Sequence, residues 1–332
     1  MRRPANNNGE EVGAGSSCNL GAPNSPKRRF LAAAMMIHTA DEMFADGNVG
    51  GALQAYQQAI GICPPCRARA DFRLLFASHL FDAGFVIPAV AEAEGALLED
   101  CSYHNEAHRY RSFALAAQGR YGEARQALAA AADAGEDAAF AAQYALVLAL
   151  ADAGLGPTLA LAETSRDLAE SSAEYRCRLA LMRAELHRLD GNRAALAACL
   201  DLALAEDGEP GPELALWLGM LDRYLGRTTP RDAVLAAFAA APEEWPSLAW
   251  LYLQEAADGT DLAAALGQLS ITRRAENRAI VDRFQGLMQE MQGNRQEAAA
   301  AYRRVCTEPH VRWCADWHIA MQDLARLEIS VS

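Results

Sequence analysis

Apolar residues recur every three or four positions along most of the chain, which is the spacing of one face of an α-helix. Single glycines interrupt this pattern at regular intervals, 33 to 37 residues apart. They are Gly47, Gly84, Gly119, Gly154, Gly191, Gly226, Gly259 and Gly293. Each follows a long periodic segment and precedes a shorter one, as a left-handed cap that reverses the chain would. The pattern predicts eight helix–turn–helix units and a last helix over residues 311–329.

The second helix of a unit carries two small residues seven positions apart, with a large residue between them. These positions are Ala52, Tyr56 and Ala59 in the first unit, and Ala124, Leu128 and Ala131 in the third. Seven residues are two helical turns, so the three side chains share one stripe. Small residues let two helices approach closely while the large one fills the space beside them. Each unit is therefore expected to bury its apolar face against its neighbour.

This arrangement resembles the tetratricopeptide repeat family, whose 34-residue unit has small residues at fixed helix positions and ends in a proline. The resemblance covers residues 30–329 and is strongest in units one, three and eight, where Pro64 and Pro309 end a unit. Units four to seven keep the period but lose much of the pattern. The resemblance implies an all-α fold: a right-handed superhelical α-solenoid of about eight repeats, closed by a C-terminal capping helix.

Composition agrees with a helical repeat protein. The chain has 72 Ala and 40 Leu but 18 Val or Ile, too few β-branched residues for a large sheet. A net charge of −13 argues against a nucleic-acid surface, which needs clustered basic residues. The single lysine, Lys27, against 29 Arg indicates a GC-rich and therefore bacterial genome. No apolar run is long enough to span a membrane.

The first 29 residues differ from the rest of the chain. They are rich in Asn, Gly, Ser and Pro and poor in apolar side chains, so they predict a disordered tail ahead of a solenoid over residues 30–332. This segment lacks the apolar stretch of a signal peptide. We therefore expect a cytoplasmic protein.

Function follows from the resemblance, since proteins of this family bind other proteins along the groove formed by first helices. The corresponding positions of this chain are Ile37, Phe44, Phe81, Arg109, Phe113, Tyr144, Arg178, Arg188, Met220 and Arg223. Such a surface suits an amphipathic helix or an extended segment with acidic groups. The alternative is that neighbouring helices bury several of these aromatic side chains as ordinary core.

The sequence contains no phosphate-binding loop and no nucleophile elbow, so we expect a protein-binding adaptor without enzymatic activity or cofactor. Two other hypotheses stay open. The first is a substrate-docking or regulatory subunit of an enzyme such as a transferase. The second is a metal- or redox-responsive helical protein. Its candidate residues are the pair Cys63 and Cys66, the group Cys101, His104 and His108, and the group His310, Cys314 and His318. Packing and loop roles are the simpler interpretation of all three groups.

Overall fold

The computed structural model describes residues 25–164, 171–206, 212–227 and 271–329, and the single positions Ala249 and Leu266. Within these residues the chain forms fourteen α-helices and one short 3₁₀ segment, Pro309–Val311. The helices are α1 (Pro26–Ala45), α2 (Val49–Ile62), α3 (Arg67–Asp82), α4 (Val86–Leu98), α5 (His104–Ala117), α6 (Tyr121–Asp133), α7 (Ala138–Ala153), α8 (Leu155–Thr164), α9 (Ala173–Leu189), α10 (Arg193–Leu204), α11 (Pro212–Leu225), α12 (Ile271–Met291), α13 (Arg295–Thr307) and α14 (Ala315–Ile329).

The predicted all-α repeat architecture is confirmed for the described residues, which contain no strand. Consecutive helices pack as pairs from α1 with α2 to α9 with α10, and α12 packs with α13. Apart from Ala249 and Leu266, residues 228–270 lie outside the described residues. This range contains the second helix predicted for unit six and most of unit seven. Among the described helices, none is both long and apolar enough to cross a bilayer.

The solenoid and its last helix both begin at residues other than those predicted. The helix α1 begins at Pro26, where the Ser25 side chain accepts a hydrogen bond from the Arg28 amide, four residues before the expected boundary. Residues 1–24 of the expected tail lie outside the described residues. The last helix begins at Ala315 and not at residue 311, because a 3₁₀ segment starting with Pro309 precedes it.

The eight regularly spaced glycines, which we call the glycine ladder, have the predicted left-handed backbone where the structure describes them. Seven of its eight glycines have φ between 75° and 83°, and the eighth, Gly259, lies outside the described residues. At the first turn the Gly47 amide donates to the Phe44 carbonyl and the Asn48 amide to the Met43 carbonyl. The Asn48 side chain then accepts from the Gly51 amide and so caps α2. A positive φ therefore ends one helix while the following residue starts its partner.

The small-residue stripes form the core between helices. Ala52, Tyr56 and Ala59 are all completely buried. In the last repeat Gly286 of α12 lies against the ring of Tyr302 of α13, and a Cβ atom at position 286 would lie 2.5 Å from that ring. The close approach of these two helices therefore requires glycine at this position.

The last part of the chain folds back onto the solenoid. We call residues 271–329 the C-terminal unit, and the surface formed by α3, α5, α7, α9 and α11 the inner face. In the C-terminal unit, α14 packs on α7 and α9, α12 packs on α3 and α11, and the 3₁₀ segment packs on α5. Much of the hollow that an open solenoid would leave is therefore occupied by the chain itself.

Candidate binding site on the inner face

A row of aromatic rings follows the inner face from one repeat to the next. The Phe113 and Tyr144 ring centroids are 4.8 Å apart, and those of Phe140 and Tyr175 are 5.3 Å apart. These residues lie on α5, α7 and α9, the first helices of three successive units. Edge-to-face and tilted ring pairs at these separations are favourable contacts. The repeat period thus places an aromatic wall along the hollow.

Trp313 of the C-terminal unit packs into this wall. Its ring centroid lies 5.3 Å from that of Phe81 and 5.1 Å from that of Phe113. Its indole nitrogen donates to the His310 carbonyl at 3.0 Å, so the one polar atom of the ring has a partner. At this point of the inner face the aromatic wall is therefore covered by a tryptophan of the same chain.

Buried ion pairs join the inner face to the C-terminal unit. Both terminal nitrogens of Arg188 on α9 donate hydrogen bonds to the Asp323 carboxylate of α14, at 2.9 and 2.6 Å. Glu185, one turn earlier on α9, accepts from Arg188 and from Arg283 of α12. The Trp217 indole donates to the same carboxylate at 3.0 Å. These charges are almost completely buried, so each depends on its partners for stability.

Each side of this network stabilises the charge of the other. Burial opposes the charged form of Glu185, but Arg188 and Arg283 outweigh it and hold the pKa of that carboxyl at about 2. Burial also acts to lower the pKa of Arg188, and Asp323 and Glu185 together raise it well above its ordinary value. Glu185 and Arg188 are therefore both charged at neutral pH, and the Arg188–Asp323 pair bridges residues 135 positions apart in the chain.

Between the aromatic wall and the C-terminal unit lies a cavity of about 650 Å³, which we call the inner cavity. Its walls come from α5, α7, α9, α11 and α12 and from residues 313–316. Eight of its 23 lining residues are aromatic: Tyr110, Phe113, Phe140, Tyr144, Tyr175, Trp217, Phe284 and Trp313. Aromatic residues make up 7% of the whole chain. The cavity is therefore strongly enriched in aromatic rings.

Paired charges complete the lining. Arg178 lies 3.1 Å from Glu174 and 3.5 Å from Glu213, and all three side chains line the cavity. Arg109 forms an ion pair with Glu136 at 3.2 Å. Because about a quarter of each arginine side chain is exposed, each guanidinium keeps donors that a ligand carboxylate or carbonyl can accept from.

Glu276 is the cavity carboxylate whose protonation is most affected by its surroundings. Burial raises its pKa to about 7, and the nearby carboxylates of Glu213 and Asp316 act in the same direction. Arg273, 3.1 Å away, opposes the rise. At neutral pH this side chain is therefore divided between its neutral form, which can donate a hydrogen bond, and its charged form.

Solved structures share this architecture at low sequence identity, while no protein-family model and no curated protein matches the chain. A tetratricopeptide repeat protein from Parabacteroides merdae is 12% identical, covers 90% of this chain and 99% of its own, and superimposes with a TM-score of 0.50. The chain has a tetratricopeptide-repeat fold. Pseudomonas aeruginosa PilF is 20% identical, with 66% of this chain and 94% of its own covered, at a TM-score of 0.43. Yeast Tom70 is 11% identical, with 90% and 96% covered, at a TM-score of 0.31.

The tetratricopeptide-repeat fold places the ten predicted groove residues in three different surroundings. Arg109, Phe113, Tyr144 and Arg178 line the inner cavity. Phe44 is partly exposed and its ring is tilted against that of His79, with ring centroids 4.3 Å apart, and Arg223 is exposed on α11. The other four, Ile37, Phe81, Arg188 and Met220, are buried.

These four side chains do not line an open groove in this structure. Ile37 belongs to the core around α1, and Met220 packs in the core between α11 and α12. Phe81 is covered by Trp313, and Arg188 is paired with Asp323. The physical reason for the last two is the return of the C-terminal unit, which occupies part of the face that these residues would otherwise line.

The histidine and cysteine groups singled out in the sequence do not assemble into a metal site. Among the described residues, no three His, Cys, Asp or Glu side chains lie together as a metal ion would require. His318 is packed at 4.8 Å from the Trp317 ring, and its Nε2 lies 2.9 Å from the Arg312 carbonyl. Burial lowers the pKa of His318 to about 4. The stripe of His310, Cys314 and His318 is thus part of the packing of the C-terminal unit.

Sequence reasoning missed the side of the site supplied by the later helices. Trp217 of α11 and Arg273, Glu276 and Arg283 of α12 all line the cavity. A signal existed for part of this set, because Arg283 is flanked by residues that continue the apolar stripe of its helix. A charged residue within such a stripe indicates a buried partner elsewhere in the chain. The sequence does not say which residue that partner is.

Proposed function

We propose that the protein is a non-enzymatic scaffold that binds a short segment of a partner protein in the inner cavity. A large apolar side chain of that segment would lie against the aromatic wall. The observation that carries this proposal is the enrichment of the cavity in aromatic rings, eight of 23 lining residues. Its volume of about 650 Å³ falls within the range of specific ligand sites in proteins.

The charged pairs at the cavity would give the segment its orientation. Arg178 is bound to two carboxylates and remains partly exposed, with about a quarter of its side chain accessible. A peptide carbonyl or an acidic side chain of the partner can accept from the same guanidinium. Partly exposed ion pairs contribute little to the free energy of folding. Replacing one carboxylate bound to Arg178 by a group of the ligand therefore costs little free energy. The preferred segment is therefore an apolar anchor with an adjacent acidic residue.

The size of the cavity limits the length of this segment. Because the C-terminal unit covers Phe81 and Arg188, an extended ligand running along the whole inner face has no room in this conformation. A few residues of a partner fit, with one or two side chains inserted. Binding then depends on a small number of central contacts, as in most interfaces with aromatic hot spots.

A displayed library of random short peptides tests the proposal. We expect enrichment of peptides with an aromatic or large aliphatic residue next to an acid. Binding of these peptides should fall at least about tenfold on Arg178→Glu or Phe140→Ala, as expected for a central contact. The matched control is Arg223→Glu, the same charge reversal on an exposed residue that does not line the cavity.

Circular dichroism of each variant establishes that its helices are retained. Equal binding by all three folded variants would reject the inner cavity as the site. Loss on Arg223→Glu with binding kept by the two cavity variants would move the site to the outside of α11.

A further inference from the structure

Two cysteine side chains meet where the first repeat joins the second. Cys63 follows the last residue of α2, and Cys66 is the N-cap of α3, with Pro64 and Pro65 between them. The two side chains are close enough for each sulfur to influence the other electrostatically. Cys63 is 2% exposed, whereas Cys66 is exposed to solvent. The pair therefore combines one accessible sulfur with one buried sulfur held next to it.

The surroundings of the two thiols differ in a way that gives them different roles. Burial, with a further contribution from Cys66, raises the pKa of the Cys63 thiol to about 11 and keeps it protonated. Cys66 stands at the N-terminus of a 16-residue helix, whose free amides favour a negative charge. The Arg69 guanidinium, one turn further on, interacts electrostatically with both sulfurs. The accessible sulfur, that of Cys66, is thus the one that a peroxide in solution can reach first.

The remaining described cysteines are placed differently. Cys101, Cys177, Cys199 and Cys314 are buried, and Cys306 is partly exposed. No described cysteine other than these two is separated from a second one by two residues. Since no group of three metal-binding side chains occurs in the described part of the chain, a metal ion would find only the two thiols here. A two-electron reaction between the thiols needs no third ligand.

We propose that Cys63 and Cys66 form a reversible disulfide, in which Cys66 reacts first with a peroxide and Cys63 resolves the product. The Cys66 thiolate attacks one peroxide oxygen, the O–O bond breaks, and the hydroxide released takes a proton to leave as water. The resulting sulfenic acid is attacked by the Cys63 sulfur, which loses its proton as the S–S bond forms. The sulfenic hydroxyl leaves with that proton as a second water. Two thiols and one hydrogen peroxide thus give one disulfide and two waters.

The disulfide would form at a structural joint. Cys63 and Cys66 lie at the end of α2 and the start of α3, which are the helices through which the first unit packs on the second. Closing this four-residue loop covalently would fix the direction in which α3 leaves α2. Oxidation would therefore act on the angle between the first two repeats without requiring any other residue to move.

Peptide mapping of the intact protein tests this proposal. Trypsin releases residues 30–67 as one peptide that contains both cysteines and no other. After treatment with hydrogen peroxide and alkylation of the denatured protein, we expect this peptide to be unalkylated and lighter by two hydrogen atoms. Dithiothreitol should restore two alkylatable thiols. Oxidation should be at least about tenfold faster than at Cys306, because Cys306 is only partly exposed and burial raises the pKa of its thiol to about 11.

Single variants separate the two roles. In Cys63→Ser, Cys66 should accumulate as a sulfenic acid that dimedone traps. In Cys66→Ser, Cys63 should react no faster than Cys306. Two alkyl groups on the wild-type peptide after peroxide, or a sulfinic acid at Cys66 beside an alkylated Cys63, would overturn the proposal. Rapid oxidation of Cys63 in Cys66→Ser would overturn the assignment of roles.

Discussion

The second repeat and the C-terminal unit are held in place by different kinds of ion pair. In the second repeat, Arg69 and Arg73 of α3 bind Glu99, which directly follows α4, and each of these side chains remains about a fifth to a quarter exposed. Between α9 and the C-terminal unit, Arg188 and Asp323 pair across 135 positions, with 1% of each side chain exposed. The contact between neighbouring helices is thus supported by ion pairs that water can partly replace. The contact between α9 and the C-terminal unit depends instead on charges that are distant in the chain and shielded from water.

The largest expected effect comes from breaking the buried pair on one side. Asp323→Ala leaves the Arg188 guanidinium buried without its bidentate partner, although Glu185 remains in contact with it. Loss of one member of a buried pair costs about 3–5 kcal/mol, and we expect a decrease of that size in the free energy of unfolding of the C-terminal unit. Urea denaturation followed by circular dichroism measures it.

Glu99→Ala is the matched control in the second repeat. Like Asp323, Glu99 forms ion pairs with two arginines, but its side chain is partly exposed. We expect a loss of about 1 kcal/mol or less. Replacing both Arg188 and Asp323 by apolar residues of similar size should be less damaging than Asp323→Ala alone. Equal losses for Asp323→Ala and Glu99→Ala would remove the distinction between the two regions.

The second prediction concerns pH and Glu276. Because burial raises the pKa of Glu276 in the folded protein to about 7, the native state favours its protonated form. The resulting stabilisation is fully present below the ordinary pKa of a glutamate and is lost as the pH rises through about 7. Glu276→Gln mimics the protonated form at every pH. Relative to the wild type, this variant should gain about 2 kcal/mol of stability between pH 5 and pH 8.

Thermal unfolding of both proteins at several pH values provides the measurement. Glu99→Gln is the control, since Arg69 and Arg73 hold the pKa of Glu99 below its ordinary value against the opposing effect of burial. Its stability difference from the wild type should change little across the same pH range. A Glu276 difference that is constant with pH would contradict the assigned surroundings of this carboxyl.

A smaller effect is expected from two glycines of the ladder. Gly84 and Gly119 both have positive φ, so alanine at either position costs about 1–2 kcal/mol. At Gly119 an added Cβ meets nothing within 4 Å, but at Gly84 it would lie 3.0 Å from the His310 ring of the C-terminal unit. Gly84→Ala should therefore be more destabilising than Gly119→Ala by a few tenths to about 1 kcal/mol.

The double variant Gly84→Ala with His310→Ala tests the origin of that difference. Removing the imidazole should return the cost of Gly84→Ala to that of Gly119→Ala, as measured by urea denaturation against His310→Ala alone. An unchanged difference would show that His310 is not beside Gly84 in solution.

The contrast between contacts of neighbouring helices and contacts of distant segments explains which features the sequence predicts. A period of about 35 residues and the left-handed glycines depend on backbone geometry and on contacts between adjacent helices, and both are visible as spacings. Even Tyr56, flanked by Ala52 and Ala59, is completely buried as its stripe predicts. These features require no knowledge of where remote segments meet.

The candidate site could be predicted only in part, because it is built from two remote parts of the chain. Arg109, Phe113, Tyr144 and Arg178 follow from the repeat period and do line the cavity. Phe81 and Arg188 also lie on first helices, on α3 and α9. Their surroundings are decided by Trp313 and Asp323, which lie more than a hundred residues away in the chain. The repeat pattern describes each unit and its neighbour and contains no information on whether the array closes.

Photochemical crosslinking from position 313 tests most directly whether the C-terminal unit occupies the inner face. The photoreactive aromatic residue p-benzoyl-phenylalanine replaces Trp313, whose ring lies beside those of Phe81 and Phe113. On irradiation of the monomer, we expect crosslinks to the tryptic peptides 74–109 and 112–120, which contain these two phenylalanines. Crosslinks confined to residues 271–329, or formed only between two chains, would contradict the closed arrangement.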